Sequence, residues 1–182
     1  MKKLYFVTSN KNKVKEVQEI LKVPVEVASL EIDEIQSLDV EEVIRKKAEA
    51  AFAILKKPLF VDDVSFEIEA WGGFPGPFIK FIYLAGGYDL LTKMLSSEKN
   101  KKAKVIASIG YHDGKRVHIF KGYFFGTLVE KRGDRGWGFD PYMIPDGHKK
   151  TFGEMENDLK NKISHRARVL EKFKQFLEKQ EK

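Results

Sequence analysis

Two adjacent carboxylates, Asp62 and Asp63, follow the apolar segment Leu59-Phe60-Val61. If that segment is a buried strand, both acids leave its carboxyl end, where open α/β sheets bind ligands. Paired carboxylates are costly there unless they are solvated, ion-paired or metal-bound. Their hard oxygens suit Mg²⁺. Adjacent strand residues point to opposite faces, so only one of the pair is expected to face a site. A solvated strand-end turn accounts for the same two residues equally well.

Thr8-Ser9-Asn10-Lys11-Asn12-Lys13 sits where another apolar strand, Leu4 to Thr8, turns into a helix. Small polar side chains and helix N-terminal amides at such a turn can hold a phosphate, and Lys11 and Lys13 add point charges. Ordinary helix capping explains the same Ser and Asn. There is no Gly-x-x-x-x-Gly-Lys-Ser/Thr loop. Trp137-Gly138-Phe139-Asp140-Pro141 alternates aromatics with glycine and ends on a carboxylate beside proline, a pattern that can stack a base and bind its edge; a turn with aromatic anchors is the plain alternative. Lys160 precedes Ser164-His165-Arg166. Ser164 reads as an N-cap, and His and Arg in a first helical turn oppose the helix dipole, which hints at an anionic or carbonyl ligand. Glu34, near Gln36, says little alone. His112, His118 and His148 are scattered and form no metal-ligand pattern.

The elements that must position these groups follow from periodicity. Val14, Val17, Ile20 and Leu21 make an apolar stripe on a helix after Asn10, closed by Pro24. Val25 to Leu30 reads as a strand. Asp39-Val40-Glu41-Glu42 resembles an acidic capping box and opens a helix that ends at Lys56-Lys57-Pro58. Trp71 to Pro77 is a rigid turn, and a short helix is expected over Asp89 to Leu95. Val105 to Tyr111 and Val117 to Phe125 read as antiparallel strands joined by a two-residue turn at Asp113-Gly114. Gly133 to Pro141 is a glycine-rich loop, and a last amphipathic helix carries Leu170, Phe173 and Leu177. The sum is an α/β fold: a long mixed β-sheet with flanking helices, in two lobes around a central cleft, with residues 1–182 as a single domain.

The 182 residues include no cysteine, which removes disulfide frameworks and thiolate metal sites. No apolar run is long enough to span a bilayer, and the apolar stretch after Met1-Lys2-Lys3 is too short for a signal peptide. A cytoplasmic location without membrane association is expected. The net charge of +6 allows a nucleic-acid, acidic-surface or polyphosphate partner, or simply a lysine-rich surface.

Together the motifs resemble those of the inosine triphosphate pyrophosphatase family, in order, from Leu4 to about Leu170. Thr8-Ser9-Asn10-Lys11-Asn12-Lys13 is similar to its Thr-(Gly/Ser)-Asn-x-x-Lys signature, and Asp62-Asp63 to its Glu/Asp-Asp. Gly73-Phe74-Pro75-Gly76 follows at the family's spacing, and Pro77-Phe78-Ile79-Lys80 is similar to the Pro-Tyr-Ile-Lys of its eukaryotic-type members. Trp137-Gly138-Phe139-Asp140-Pro141 resembles Phe-Gly-(Trp/Tyr)-Asp-Pro, and Lys160-Asn161 with Ser164-His165-Arg166 resembles Lys-(Asn/Ser)-x-x-Ser-His-Arg. Val64-Ser65-Phe66 stands where many members have Ser-Gly-Leu, and Trp137 replaces the usual Phe.

The resemblance implies a homodimer that hydrolyses ITP, dITP or XTP to the monophosphate and pyrophosphate. Carried over by position, Glu34 and Asp63 would hold Mg²⁺, and Asp63 would serve as general base. Thr8, Asn10, Lys13, Lys46 and Lys80 would face the triphosphate, with Ser9, Lys11 and Asn12 in the same turn. Trp137, with Gly138 and Phe139, would take the purine, and Asp140, Lys160, His165 and Arg166 would read its edge. Two rivals are a pyrophosphatase for other modified nucleotides and a non-enzymatic, basic nucleic-acid-binding module. The Trp137 loop and Ser164-His165-Arg166 weigh against modified pyrimidines as substrates. No RNA-binding aromatic signature or recognition-helix pattern supports a nucleic-acid partner.

Overall fold

A computed structural model describes residues 4–180. The basic start Met1-Lys2-Lys3 and the last two residues of the expected 1–182 domain lie outside the described residues. β1 (Leu4–Val7), α1 (Lys11–Leu21) and β2 (Val25–Ala28) are followed by α2 (Val40–Leu55) and β3 (Leu59–Ile68). β4 (Pro75–Gly76), α3 (Ile79–Met94), β5 (Lys102–His112) and β6 (Val117–Leu128) come next, then β7 (Met143–Pro145), α4 (Asn157–Ile163) and α5 (His165–Gln180).

The helix caps are those that the residue types favour. Asn10 Oδ1 accepts the Asn12 and Lys13 N–H groups at the start of α1. Asp39 Oδ1 accepts the Glu41 N–H at the start of α2, and Ser164 Oγ accepts the Ala167 N–H at the start of α5. α1 and α2 end at Leu21 and Leu55, each followed by a lysine in the left-handed conformation, ahead of the prolines.

All seven strands join one sheet in the order β2-β1-β3-β5-β6-β7, with β4 paired to β3. β1 runs parallel to β2 and β3; the remaining pairings are antiparallel. α1 and α5 cover one face around Phe6, Phe60, Leu170 and Phe173. α2 covers the other around Ile44, Ala48, Leu59 and Val61. A third apolar cluster, with Phe66, Leu91, Val105, Phe124, Met143 and Phe152, forms the second lobe.

β4, β7 and α4 are additions to the sequence reading, β5 and β6 run a few residues longer than expected, and other differences shape the cleft. β3 does not stop at Val61 but runs on to Ile68, because Val64, Phe66 and Ile68 continue an alternating pattern. α3 begins at Ile79 and bends at Gly86 and Gly87, so the helix expected from Asp89 is only its second half. The β5–β6 turn spans four residues rather than two: His112 pairs with Val117, and Asp113 Oδ1 accepts the N–H groups of both Lys115 and Arg116. β2 ends at Ala28, short of Leu30.

The register of β3 makes the cleft. β1 pairs with it only at Leu59 and Phe60, and β4 pairs only at Phe66 and Glu67. Between them, no strand among the described residues pairs with residues 61–65 of β3 on that edge. One carbonyl in this window, that of Asp62, accepts a hydrogen bond from Lys13 Nζ at 3.0 Å.

Candidate active site

A cavity of about 440 Å³ opens on this window. Both Asp62 and Asp63 line it, although they point to opposite faces of β3. The expectation that only one would reach the site fails because the open edge is accessible from both faces.

Asp62 faces α1 and α5. It is 3% exposed, and its carboxylate lies 2.6 Å from Lys13 Nζ and 3.0 Å from Arg166 Nε. Burial alone would raise its pKa, but the Arg166 and Lys13 charges hold it well below the usual carboxylate range. Arg166 is itself 1% exposed and also bonds Glu16. Glu16 accepts Lys160 Nζ at 2.6 Å and the Trp137 indole N–H at 2.8 Å. Burial works against the Glu16 charge, yet Arg166 and Lys160 bring its pKa down to about 2. Lys160 Nζ also meets Asp140 Oδ2 at 2.6 Å. A continuous chain of charge therefore runs Lys13–Asp62–Arg166–Glu16–Lys160–Asp140 along one wall of the cleft. Asp140 Oδ2 also accepts the Trp137 N–H at 2.8 Å. Gly136 allows this fold-back: its φ is +74°, and a Cβ there would fall 2.1 Å from Asp140 Oδ2.

Asp63 faces the α2 side. Among the described residues it makes no direct ion pair, although the buried Lys47 ammonium is close enough to feel its charge; its Oδ1 accepts the Val64 N–H at 3.0 Å. Glu34 stands on the same side of the cleft, 2.5 Å from Lys47 Nζ and 3.0 Å from Lys80 Nζ. Burial would raise the Glu34 pKa, but the Lys47 charge and the two ammonium hydrogen bonds bring it to about 2. Lys47 has its pKa raised: burial opposes its charge, and the Asp63 and Glu34 carboxylates outweigh that effect. Two carboxylates with cleft access match Mg²⁺, which takes one or two carboxylates and fills its remaining positions with water and phosphate oxygens. No cluster of three or more His, Cys, Asp or Glu side chains suited to a metal exists among the described residues, so a cage made wholly of protein is not what this site offers.

The far end of the cleft is aromatic. Phe139 packs against Phe66 and Tyr88 with ring centroids 5.6 and 5.9 Å apart. Trp137 lies with the Arg166 guanidinium 5.4 Å from its ring. His165 is 4% exposed, and neither ring nitrogen has a hydrogen-bond partner among the described residues. Burial, with the Arg166 charge, lowers its pKa to about 3, so the imidazole is neutral near pH 7.

The cleft gathers most of the residues singled out in the sequence. Thr8, Ser9, Asn10, Asn12, Lys13, Glu34, Asp63, Lys80, Trp137, Gly138, Phe139, Asp140, Lys160, His165 and Arg166 all line it. Lys11 and Lys46 do not. Lys11 is exposed on the first turn of α1. Lys46 turns outward to bond Glu49 at 3.1 Å, and its neighbour Lys47, one residue round the helix, faces the cleft instead. Sequence reasoning also missed Glu16, Lys47 and Tyr88. The available signal for Glu16 was its i,i+3 spacing from Lys13 on α1, which places both on one helix face.

The model of the Ham1 family matches residues 4–176. The chain belongs to the Ham1 family. Among its relatives, the dITP/XTP pyrophosphatase of Saccharolobus solfataricus is 40% identical, over 97% of this chain and 94% of its own length. That of Thermococcus kodakarensis is 41% identical, over 96% and 97%. The inosine triphosphate pyrophosphatase of Scheffersomyces stipitis is 38% identical, over 97% and 98%. A solved Ham1 protein of Coxiella burnetii superposes with a TM-score of 0.84 at 25% identity, covering 98% of this chain and all of that one. In this Ham1 chain the charged wall and the aromatic end lie in one cavity.

Proposed function

We propose that this protein hydrolyses non-standard purine nucleoside triphosphates (ITP, dITP or XTP) to the monophosphate and pyrophosphate. One observation carries the reading: a single cleft joins a cation-rich carboxylate end, with Glu34, Asp63, Lys13, Lys47 and Lys80, to an aromatic end with the unpartnered His165. Relatives named for this activity share nearly the whole chain.

Glu34 and Asp63 would hold Mg²⁺, which when bound neutralises polyphosphate charge and orients its oxygens. Asp63 accepts a proton from the attacking water, whose oxygen joins the α-phosphorus while the α–β phosphoanhydride bond breaks and pyrophosphate leaves. Asp63 suits that role because its carboxylate, unlike that of Asp62, is in no direct ion pair among the described residues. The Thr8–Lys13 turn, Lys47 and Lys80 receive the phosphates.

At the other end Trp137 stacks on the purine. A neutral His165 offers one N–H donor and one acceptor to the base edge. A 6-oxo purine satisfies a donor that an adenine amino group would leave unpaired. Each such buried mismatch costs about 1–3 kcal/mol, so two give roughly a hundredfold or more. Residues 1–182 act here as one two-lobed domain and as a homodimer, which the family resemblance supports, and in the cytoplasm without a nucleic-acid or membrane partner, which the sequence pattern supports. The deciding experiment is pyrophosphate release from a panel of triphosphates with and without Mg²⁺. ITP yielding IMP and pyrophosphate, with ATP and GTP much slower, is the expected result. IDP and phosphate as first products would refute it.

A further inference from the structure

Among the described residues, the buried side-chain polar atoms without a partner are the two ring nitrogens of His165 and the hydroxyls of Ser65 and Ser108. The hydroxyls share a neighbourhood. Ser108 on β5 is the direct register partner of Asp63 on β3. Directly opposed residues on antiparallel strands place their side chains on the same face, with Cβ atoms about 4.5–5.5 Å apart. Ser65 lies two residues beyond Asp63 on the same strand, and therefore also on that face. Ser108 is 0% exposed and Ser65 1%. Gly76 closes over Ser65: a Cβ there would stand 3.7 Å from its Oγ.

A buried hydroxyl without a partner is unfavourable, and alanine would remove that cost at either position. Both costly hydroxyls flank Asp63, the cleft aspartate that makes no direct ion pair among the described residues, although Lys47 feels its charge. Asp63 Oδ1 accepts the Val64 N–H, whereas Oδ2 accepts no hydrogen bond among the described residues. A hydroxyl needs only a χ1 rotation to change its acceptor.

We infer that Ser108, assisted by Ser65, is a positioning residue for Asp63: in the loaded enzyme its hydroxyl donates to the second carboxylate oxygen and fixes the side chain toward the substrate. This rests on the function proposed above. It assigns Asp63 a support built from the sheet itself, where Asp62 is held by long cationic side chains from two helices. Outer-shell partners of this kind hold a reacting or ligating group in its productive orientation.

The experiment compares wild type, Ser108→Ala and Ser65→Ala/Ser108→Ala at saturating Mg²⁺. The proposal expects kcat for ITP to fall about 10–100-fold in Ser108→Ala, the usual scale for lost outer-shell support, and further in the double variant. KM should change little, because the lost contact acts on the transition state. The melting temperature should hold or rise, since an unpaired buried hydroxyl has been removed. A separate readout is calorimetric titration of Mn²⁺ in the presence of pyrophosphate, with weaker binding expected in Ser108→Ala. Wild-type kcat in the double variant, unchanged Mn²⁺ affinity, or a kcat loss that comes with a lower melting temperature would each overturn the assignment. A wild-type protein that releases no pyrophosphate from any triphosphate would refute the functional reading instead, and the Mn²⁺ titration then still decides the role of Ser108.

Discussion

The guanidinium of Arg166 and the carboxylate of Asp62 meet at 3.0 Å with both side chains 1% exposed. Arg166 also holds Glu16, so one cation serves two buried carboxylates. Arg166→Ala would strand both. Breaking a buried pair in this way costs about 3–5 kcal/mol, and for a chain of this size each kcal/mol lowers the melting temperature by about 2–4 °C. Calorimetry should show that loss. With the wall collapsed, activity should fall on every nucleotide rather than selectively on ITP. An Arg166→Ala protein that melts like wild type and loses only its preference for ITP would show instead that Arg166 reads the base directly.

The same wall sets an acid limit. Glu16 and Glu34 have folded pKa values depressed to about 2 from an ordinary 4.5. Their stabilisation is complete above the ordinary value and is lost as the pH falls through about 2. His165 adds an earlier loss. Its folded pKa is about 3 against an ordinary 6.5, so between those values the unfolded chain binds a proton that the folded one refuses. Folding stability should therefore begin to fall below about pH 6.5. From pH 7 to pH 5 the His165 contribution alone is about 2 kcal/mol. His165→Phe should flatten this upper part of the profile and leave the lower carboxylate part in place. Urea unfolding at pH 7 and pH 5 in both proteins measures the difference; equal slopes would show that His165 does not carry it.

Lys46 and Lys47 provide a control pair on one helix. Lys47 Nζ lies 2.5 Å from Glu34 in the cleft, whereas Lys46 bonds the exposed Glu49. Lys47→Met should lower kcat/KM for ITP by the worth of a hydrogen bond to a charged group, about 1.5–3 kcal/mol or roughly 10–100-fold. Lys46→Met should be close to wild type. Steady-state kinetics on both variants would reject the assignment if their effects were equal or reversed.

Much of this site was legible because its chemistry is local. Thr8 to Lys13 needs only a strand end and an N-cap, and Asp62-Asp63 needs only an apolar strand before it. Other features depend on relationships that no window of sequence contains. The partners of Glu16 lie 121 to 150 residues away, so nothing near it marks it as a hub. The Lys46 and Lys47 assignments differ by one residue, about 100° around a helix, and pairing with Glu34 from a distant loop decides between them. The open edge of β3 follows from where β1 stops and β4 starts. α3 was half missed because its first turns, with Ile79, Phe81, Ile82, Tyr83 and Leu84, are apolar on several sides and Gly86-Gly87 interrupts the pattern.

The last prediction concerns Asp63, where catalysis and folding separate. Asp62 is tied to Lys13 and Arg166, so changing it would disturb structure and function together. Among the described residues the Asp63 side chain makes one hydrogen bond, from the Val64 N–H to Oδ1. Asn at this position keeps an oxygen for that bond but loses the charge and the proton-accepting carboxylate. Asp63→Asn should therefore unfold at nearly the wild-type temperature while kcat falls about 10²–10⁴-fold, the scale of lost acid–base catalysis. Raising Mg²⁺ should recover little of that loss, since metal affinity and proton transfer are both affected. Glu34→Gln should differ, because in the proposed reaction Glu34 would hold the metal without accepting the proton. Its deficit should narrow as Mg²⁺ is raised, and wild type itself should stop turning over when the metal is chelated. Initial rates across a Mg²⁺ series for the three proteins make the comparison. Near-normal turnover in Asp63→Asn would remove Asp63 from the chemistry, and full wild-type activity in excess chelator would remove the metal.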